Sequence, residues 1–179
     1  MNDNEGKTIL LTPVTSEVES AEHIIRLRNG EKQIKFLSQT DFSVEKQLHW
    51  LKEYAVKNNN NEQYYFFIIR KDTQEVIGTV RIYDIKNDIK SFCWGSWILN
   101  DNKTISSALE SFILINRFAF EVLGCKQAHF DVRKNNEKVI AFHLKTGAKI
   151  IREDVVNYYF NYFSEDFAAF KNKHIGMIK

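Results

Sequence analysis

Between Trp94 and Gly147 the chain carries two tryptophans, a loop of small polar residues, a long apolar run, and then an asparagine and a histidine. The loop holds the clearest chemistry. Lys103, Thr104, Ile105, Ser106, Ser107 and Ala108 stand immediately before the apolar residues LESFILINRFAFEVLG. A run that is apolar on more than one face reads as a helix packed centrally on a sheet, and the first amides of any helix have no partner within it. Small side chains leave those N–H groups pointing outward at the positive end of the helix dipole, the arrangement that binds phosphate. The stretch therefore reads as a diphosphate cradle that follows directly on the strand SFCWGSWIL.

Other reactive residues form no such set. Cys93 and Cys125 lack a CxxC partner and a nearby pair of histidines, so spacing excludes a zinc site and a disulfide framework. Both are expected to be buried thiols acting as small hydrophobes, and no metal is expected. Glu110, Asp84 and Asp131 are carboxylates able to take a proton, and spacing does not rank them. Glu110 also suits the first turn of a helix, where an acid is favourable.

The elements that must position these residues follow from periodicity. TILLTPV is a first strand ended by Pro13. In SEVESAEHIIRLRN the apolar residues recur at helical spacing, with Ser16 as N-cap and Gly30 just past the end. EKQIKFLSQTDF is expected to hold a single turn. Ser43 then starts a second helix with an apolar stripe of Val44, Leu48, Leu51 and Ala55. YYFFIIRK, EVIGTVRIYDI and SFCWGSWIL are aromatic and β-branched, and their short connections require an antiparallel meander. Gly78 in the middle strand marks a bulge or a close backbone approach. The central helix spans about 106–123 and ends at Gly124. QAHFDVR is a strand, EKVIAFHLKT a helix ending at Gly147, AKIIRED and VVNYYFNYF a closing hairpin, and SEDFAAFKNKH an amphipathic tail. The order β α α β β β α β α β β is an α/β layout, a mixed, mostly antiparallel sheet with helices on both faces.

Composition agrees with one globular domain over residues 1–179. The chain is 44% hydrophobic with 14 Phe, 7 Tyr and a single Pro. The net charge of +2 comes from lysines scattered among acids, so nothing prompts a nucleic-acid partner. The polar start NDNEGK and the absence of an apolar run near the ~20 residues that span a bilayer give no membrane partner and an expected soluble, cytoplasmic protein.

Over nearly its whole length the chain resembles the Gcn5-related N-acetyltransferases. In that family a Gln/Arg-x-x-Gly-x-Gly/Ala loop opens the central helix and its amides grip the pyrophosphate of acetyl-CoA. The register here gives Lys103-Thr104-Ile105-Ser106-Ser107-Ala108, with Lys103 for Gln/Arg, Ser106 for the first glycine and a permitted alanine at Ala108. Serine is small enough to admit a phosphate, its hydroxyl is a further donor, and a positive φ at Ser106 would cost more than at glycine. VRKNNEKVIAFHLKTGAKI resembles the family's V-x-x-x-N-x-x-A-x-x-x-Tyr-x-x-x-Gly-Phe segment. The resemblance puts Asn136 on the pantetheine or adenine of the cofactor and His143 in place of the tyrosine that protonates the leaving thiolate. The other reading of His143 is a half-buried histidine packed on the sheet. WGSWIL resembles the strand that splays from its neighbour, which implies that backbone groups of Trp97, Ile98 and Leu99 bind pantetheine and polarise the acetyl carbonyl.

The N-terminal half, with I-x-x-L-R-N and S-x-E-K-Q-L-H-W-L, looks like the members that acetylate the amino group of nucleotide-linked amino sugars. It is similar more loosely to those that acetylate ribosomal-protein N-termini. The resemblance implies a small-molecule amine acceptor, with Arg28 and Asn29 at a helix end contacting it and Arg28 holding a phosphate or carboxylate. Trp94 and Trp50 can stack on a sugar or base, or fill the core. The implied reaction is direct attack of the amine on the thioester, by a monomer or homodimer, without an acyl-enzyme. Two other readings remain: a GNAT fold that has lost catalysis and serves as a binding or regulatory module, and a peptide N-terminal acetyltransferase.

Overall fold

The computed structural model describes residues 4–29 and 43–177. In chain order the elements are β1 (Ile9–Pro13), α1 (Val18–Arg28), α2 (Val44–Asn59), β2 (Tyr64–Arg70), β3 (Val76–Lys86) and β4 (Ser91–Leu99). There follow α3 (Ser107–Arg117), β5 (Gln127–Arg133), α4 (Glu137–Thr146), β6 (Lys149–Glu153), β7 (Asn157–Phe163) and α5 (Ser164–Lys173). The strands form one sheet in the order β1-β2-β3-β4-β5-β7-β6. Every neighbouring pair is antiparallel except β4 and β5. The expected mixed sheet and element order are found, and the amphipathic tail is the helix α5.

Both faces of the sheet are covered, and β2 shows how the sequence arranges this. Tyr65 and Phe67 point to a cluster with Ala21, Ile24, Leu51 and Tyr54 of α1 and α2. Phe66 and Ile68 point to the larger cluster with Phe112, Ile113 and Ile115 of α3. A strand buried on both faces reads as a continuous apolar run, and YYFFII is one. β6 lies at the sheet edge with all its residues exposed, and no helix is long and apolar enough to cross a membrane among the described residues.

Boundaries depart from expectation at two places. The N-cap of α1 is Glu17 rather than Ser16 and makes no capping hydrogen bond; the Thr15 and Ser20 hydroxyls pair instead at 2.9 Å. Gly30 and the turn expected over 31–42 lie outside the described residues. The central helix is α-helical only to Arg117 and continues as a π-turn over Phe118–Val122. The wider turn seats Phe118 against Tyr64 and Phe66, 5.1 and 5.2 Å between centroids, and leaves Val122 exposed. Ser43 caps α2 as expected by accepting from the Lys46 amide, and Gly147 ends α4 at φ 101°, where glycine has no steric cost.

Candidate active site

A gap opens between β4 and β5, and the sequence of β4 and β3 makes it. The two strands pair only at Ser91 with Gln127 and Phe92 with Ala128. Beyond that point β4 carries a bulge: Thr79 opposes Ile98 and Arg81 opposes Gly95, so Ser96 and Trp97 together face Val80. Ser96 takes φ 48° to do so, and its carbonyl accepts from the fully buried Thr79 Oγ1 at 2.8 Å. A bulge bends and twists its strand, here away from β5. Gly78 permits the crowding this creates, since a Cβ built there would lie 2.1 Å from the Ile98 carbonyl oxygen. At the closed end of the gap His129 joins β3, β4 and β5, one ring nitrogen 2.6 Å from Ser91 Oγ and the other 2.8 Å from Asp84 Oδ2. That contact holds the Asp84 carboxyl below its usual range. The order is that of a Ser–His–carboxylate triad, but Ser91 is fully buried, so the set is a clasp and not a nucleophile.

The pocket in this gap brings together Trp94, Trp97, Asn136 and His143, with Gly95, Phe130 and Asp131. His143 is buried, not half-buried. The rings of Phe130, Trp94 and Phe142 surround it at 4.5, 5.4 and 5.6 Å. Burial pushes its pKa down to about 3, so the imidazole is neutral at ordinary pH. Its Nδ1 and the Nε1 of Trp94 are buried without a hydrogen-bond partner. Both atoms belong to residues that line the pocket, and buried polar atoms are ordinarily satisfied. Trp97 Nε1 donates to Ser111 Oγ at 3.0 Å, which fixes that ring to α3. Asn136 is the N-cap of α4 and makes no capping bond with its side chain.

The cradle differs from expectation in one respect. The Ser106 hydroxyl is not presented outward but donates to Glu110, and Ser107 Oγ accepts from the Thr104 amide at 2.9 Å. Glu110 is fully buried and also accepts from the amides of Thr8 and Ile9 and from Thr8 Oγ1, at 2.8, 3.2 and 2.8 Å. The hydroxyls thus tie the loop to β1. The amides of Ile105, Ser106, Ala108 and Leu109 keep no acceptor among the described residues, and these are the donors that remain for a diphosphate. Ser106 has φ −95°, so serine in place of glycine carries no strain. Ile105 is fully exposed at the loop tip, and Lys103 is exposed beside it.

The remaining candidates separate. Ile98 is buried and paired with Thr79. Asn100 N donates to Ile77 O at 2.8 Å. The antiparallel alternation then turns the Ile98 backbone toward β3 and away from the gap. Leu99 pairs with Gly78. Trp94 is a core residue at the pocket wall, not an exposed stacking platform. Arg28 and Asn29 end α1, half-buried and exposed, away from the pocket lining. Of the three carboxylates, Glu110 is structural, Asp84 belongs to the clasp, and Asp131 lines the pocket. Cys93 and Cys125 are free and buried, and desolvation raises both thiols, Cys93 to about 11. Gly95 and Phe130 escaped the sequence reading; for Phe130 the signal was the alternation of β5, which puts it on the same face as Val132 and toward α4.

Comparison with known proteins supplies the family. No curated protein matches the chain. A solved structure described as apo FdhC, a nucleotide-linked sugar GNAT, is 41% identical and superposes with a TM-score of 0.90, covering 98% of this chain and 97% of that one. The ribosomal-protein-S5-alanine acetyltransferase from Vibrio fischeri is 14% identical, with a TM-score of 0.77 and coverage of 91% and 97%. The spermidine/spermine N-acetyltransferase SpeG from Vibrio cholerae is also 14% identical, with a TM-score of 0.72 and coverage of 90% and 97%. These last two likenesses establish the fold alone. The family model for the acetyltransferase (GNAT) domain matches residues 8–149, which include the cradle, the β4–β5 gap and His143. The chain belongs to the GNAT family and is an N-acetyltransferase.

Proposed function

We propose that the protein moves an acetyl group from acetyl-CoA directly to the primary amine of a nucleotide-linked amino sugar. The observation that carries the donor half is the gap past Phe92 and Ala128, lined by Trp94, Trp97, Asn136 and His143. The acceptor class is supported by the 41% identity to a nucleotide-linked sugar GNAT over nearly both chains. The chain's residues fit the donor. The amides of Ile105, Ser106, Ala108 and Leu109 would hold its diphosphate, with Lys103 beside them, and the Asn136 side chain its pantetheine arm. When bound, acetyl-CoA supplies a thioester carbonyl open to attack.

The side chains then have separable tasks. The Trp97 amide, set out of register by the bulge, donates to the carbonyl oxygen as charge develops there, a contribution of a few kcal/mol in comparable sites. His143 donates a hydrogen bond toward the departing sulfur from a neutral imidazole, since burial forbids the imidazolium. Asp131, exposed at the mouth of the pocket, takes the proton of the acceptor amine, directly or through water. No side chain forms a bond to the acyl group, and orientation supplies most of the rate. Calorimetric titration with acetyl-CoA tests the donor half: micromolar binding is expected, and the absence of heat at any concentration overturns the reading.

A further inference from the structure

Arg81 lies on β3 opposite Gly95, on the sheet face that α1 and α2 cover. Its guanidinium carbon stands 4.5 Å from the ring centre of Tyr83, 5.2 Å from that of Trp50 and 6.0 Å from that of Tyr65. Its Nε is buried without a hydrogen-bond partner. Among the described residues the guanidinium makes no hydrogen bond and no ion pair. Aromatic faces offset only part of the lost hydration of a cation, and a buried charge without a counter-ion remains costly. A half-buried guanidinium framed by three rings and facing no carboxylate is therefore complementary to an anion from outside the chain.

Its place in the fold says which one. Gly95 lines the gap, and a Cβ built on it would lie 3.1 Å from the Tyr83 hydroxyl, so the ring that carries Arg81 lies against the gap itself. The donor cradle and His143 belong to the α3 face, with Phe112 and Trp94. Arg81 opens on the opposite face, with Trp50, Tyr54 and Tyr65. Arg28, at the end of α1, lies near enough to Tyr65 that its charge and that of Arg81 both favour the ionised phenol, against the stronger opposing effect of burial. Both arginines thus act on Tyr65, on the face beneath α1 and α2.

We propose that Arg81, framed by Trp50, Tyr65 and Tyr83, is the anion anchor of the acceptor and holds the diphosphate of the nucleotide-linked amino sugar while its amine enters beside Gly95. The sugar in this statement rests on the function proposed above; the diphosphate affinity does not. Arginine suits the task because its planar fork can grip two phosphate oxygens while its face stays on the rings, which a lysine cannot do.

The test uses the full chain with saturating CoA, so that the α3 cradle is filled. Under that condition a nucleoside diphosphate, inorganic pyrophosphate and the unphosphorylated nucleoside are titrated in turn. The nucleoside diphosphate and pyrophosphate are expected to bind and the nucleoside to bind far more weakly. Arg81→Met should weaken the nucleoside diphosphate about 10- to 100-fold with CoA affinity unchanged, and Arg81→Lys should fall between. If Arg81→Met does not fold, the Lys variant carries the test. Unchanged diphosphate affinity in the folded variants, or a nucleoside that binds as tightly as its diphosphate, overturns the anchor. Arg81-dependent diphosphate binding without thiol release from any nucleotide-linked amino sugar would sustain the anchor and refute the acceptor.

Discussion

Burial holds His143 neutral down to about pH 3, and this separates its effect on stability from its effect on catalysis. The unfolded imidazole takes its proton near the ordinary value of 6.5 and the folded one only near 3, so between those values the unfolded chain binds more protons. The contribution is absent above pH 6.5, and stability falls as pH drops below it, by roughly 2 kcal/mol at pH 5. Replacing His143 with Phe should flatten the pH dependence of the melting temperature between pH 6.5 and 4. In the same variant kcat should drop about tenfold while acetyl-CoA affinity stays near that of the parent. Unchanged turnover would remove the residue from the mechanism. Glu110 is the converse case, a carboxylate with a structural task. Glu110→Ala leaves the buried amides of Thr8 and Ile9 without their acceptor, so a loss of about 3 kcal/mol is expected in chemical denaturation. It also frees Ser106 from the side chain that holds it, and titration should show weaker acetyl-CoA binding. A variant as stable as the parent would contradict this account of the loop.

At the scale of elements, the gap depends on the crowded crossing of β3 and β4 around the bulge. Gly78→Ala would place a methyl 2.1 Å from the Ile98 carbonyl oxygen, a contact that β4 can relieve only by moving. About 2 kcal/mol of stability should be lost, and the KM for acetyl-CoA should rise if the bulge shapes the site. Equal KM values in a destabilised variant would restrict Gly78 to packing. This is also where the sequence stops being legible. The strand β4, the start of α3 and the left-handed Gly147 are local, written in apolar period, small residues and a glycine after the last helical residue. The bulge is not local. Ser96 enters the left-handed region because Thr79, on another strand, holds its carbonyl, and serine alone gives no sign of that. The inward turn of the Ser106 hydroxyl was likewise hidden, since it belongs to a network closed by Thr8, 98 residues away. Arg81 gave no motif at all, because the rings that frame it come from α2, β2 and β3.

For the whole molecule, the sheet separates two clusters. One face carries the α3 cluster, the other the aromatic residues beneath α1 and α2 with Arg81 against them. In the reaction proposed above, donor and acceptor enter from opposite sides and react across the gap, with no covalent carrier. The GNAT fold serves many acceptors, as its likeness to polyamine and ribosomal-protein enzymes indicates, so the acceptor must be decided by chemistry and not by architecture. The decisive measurement is release of free thiol from acetyl-CoA in the presence of nucleotide-linked amino sugars, spermidine, aminoglycosides or short peptides. Rapid release with a nucleotide-linked amino sugar and little with the others is the predicted result. Release with peptides or spermidine alone, or none with any amine despite tight binding of acetyl-CoA, would contradict it.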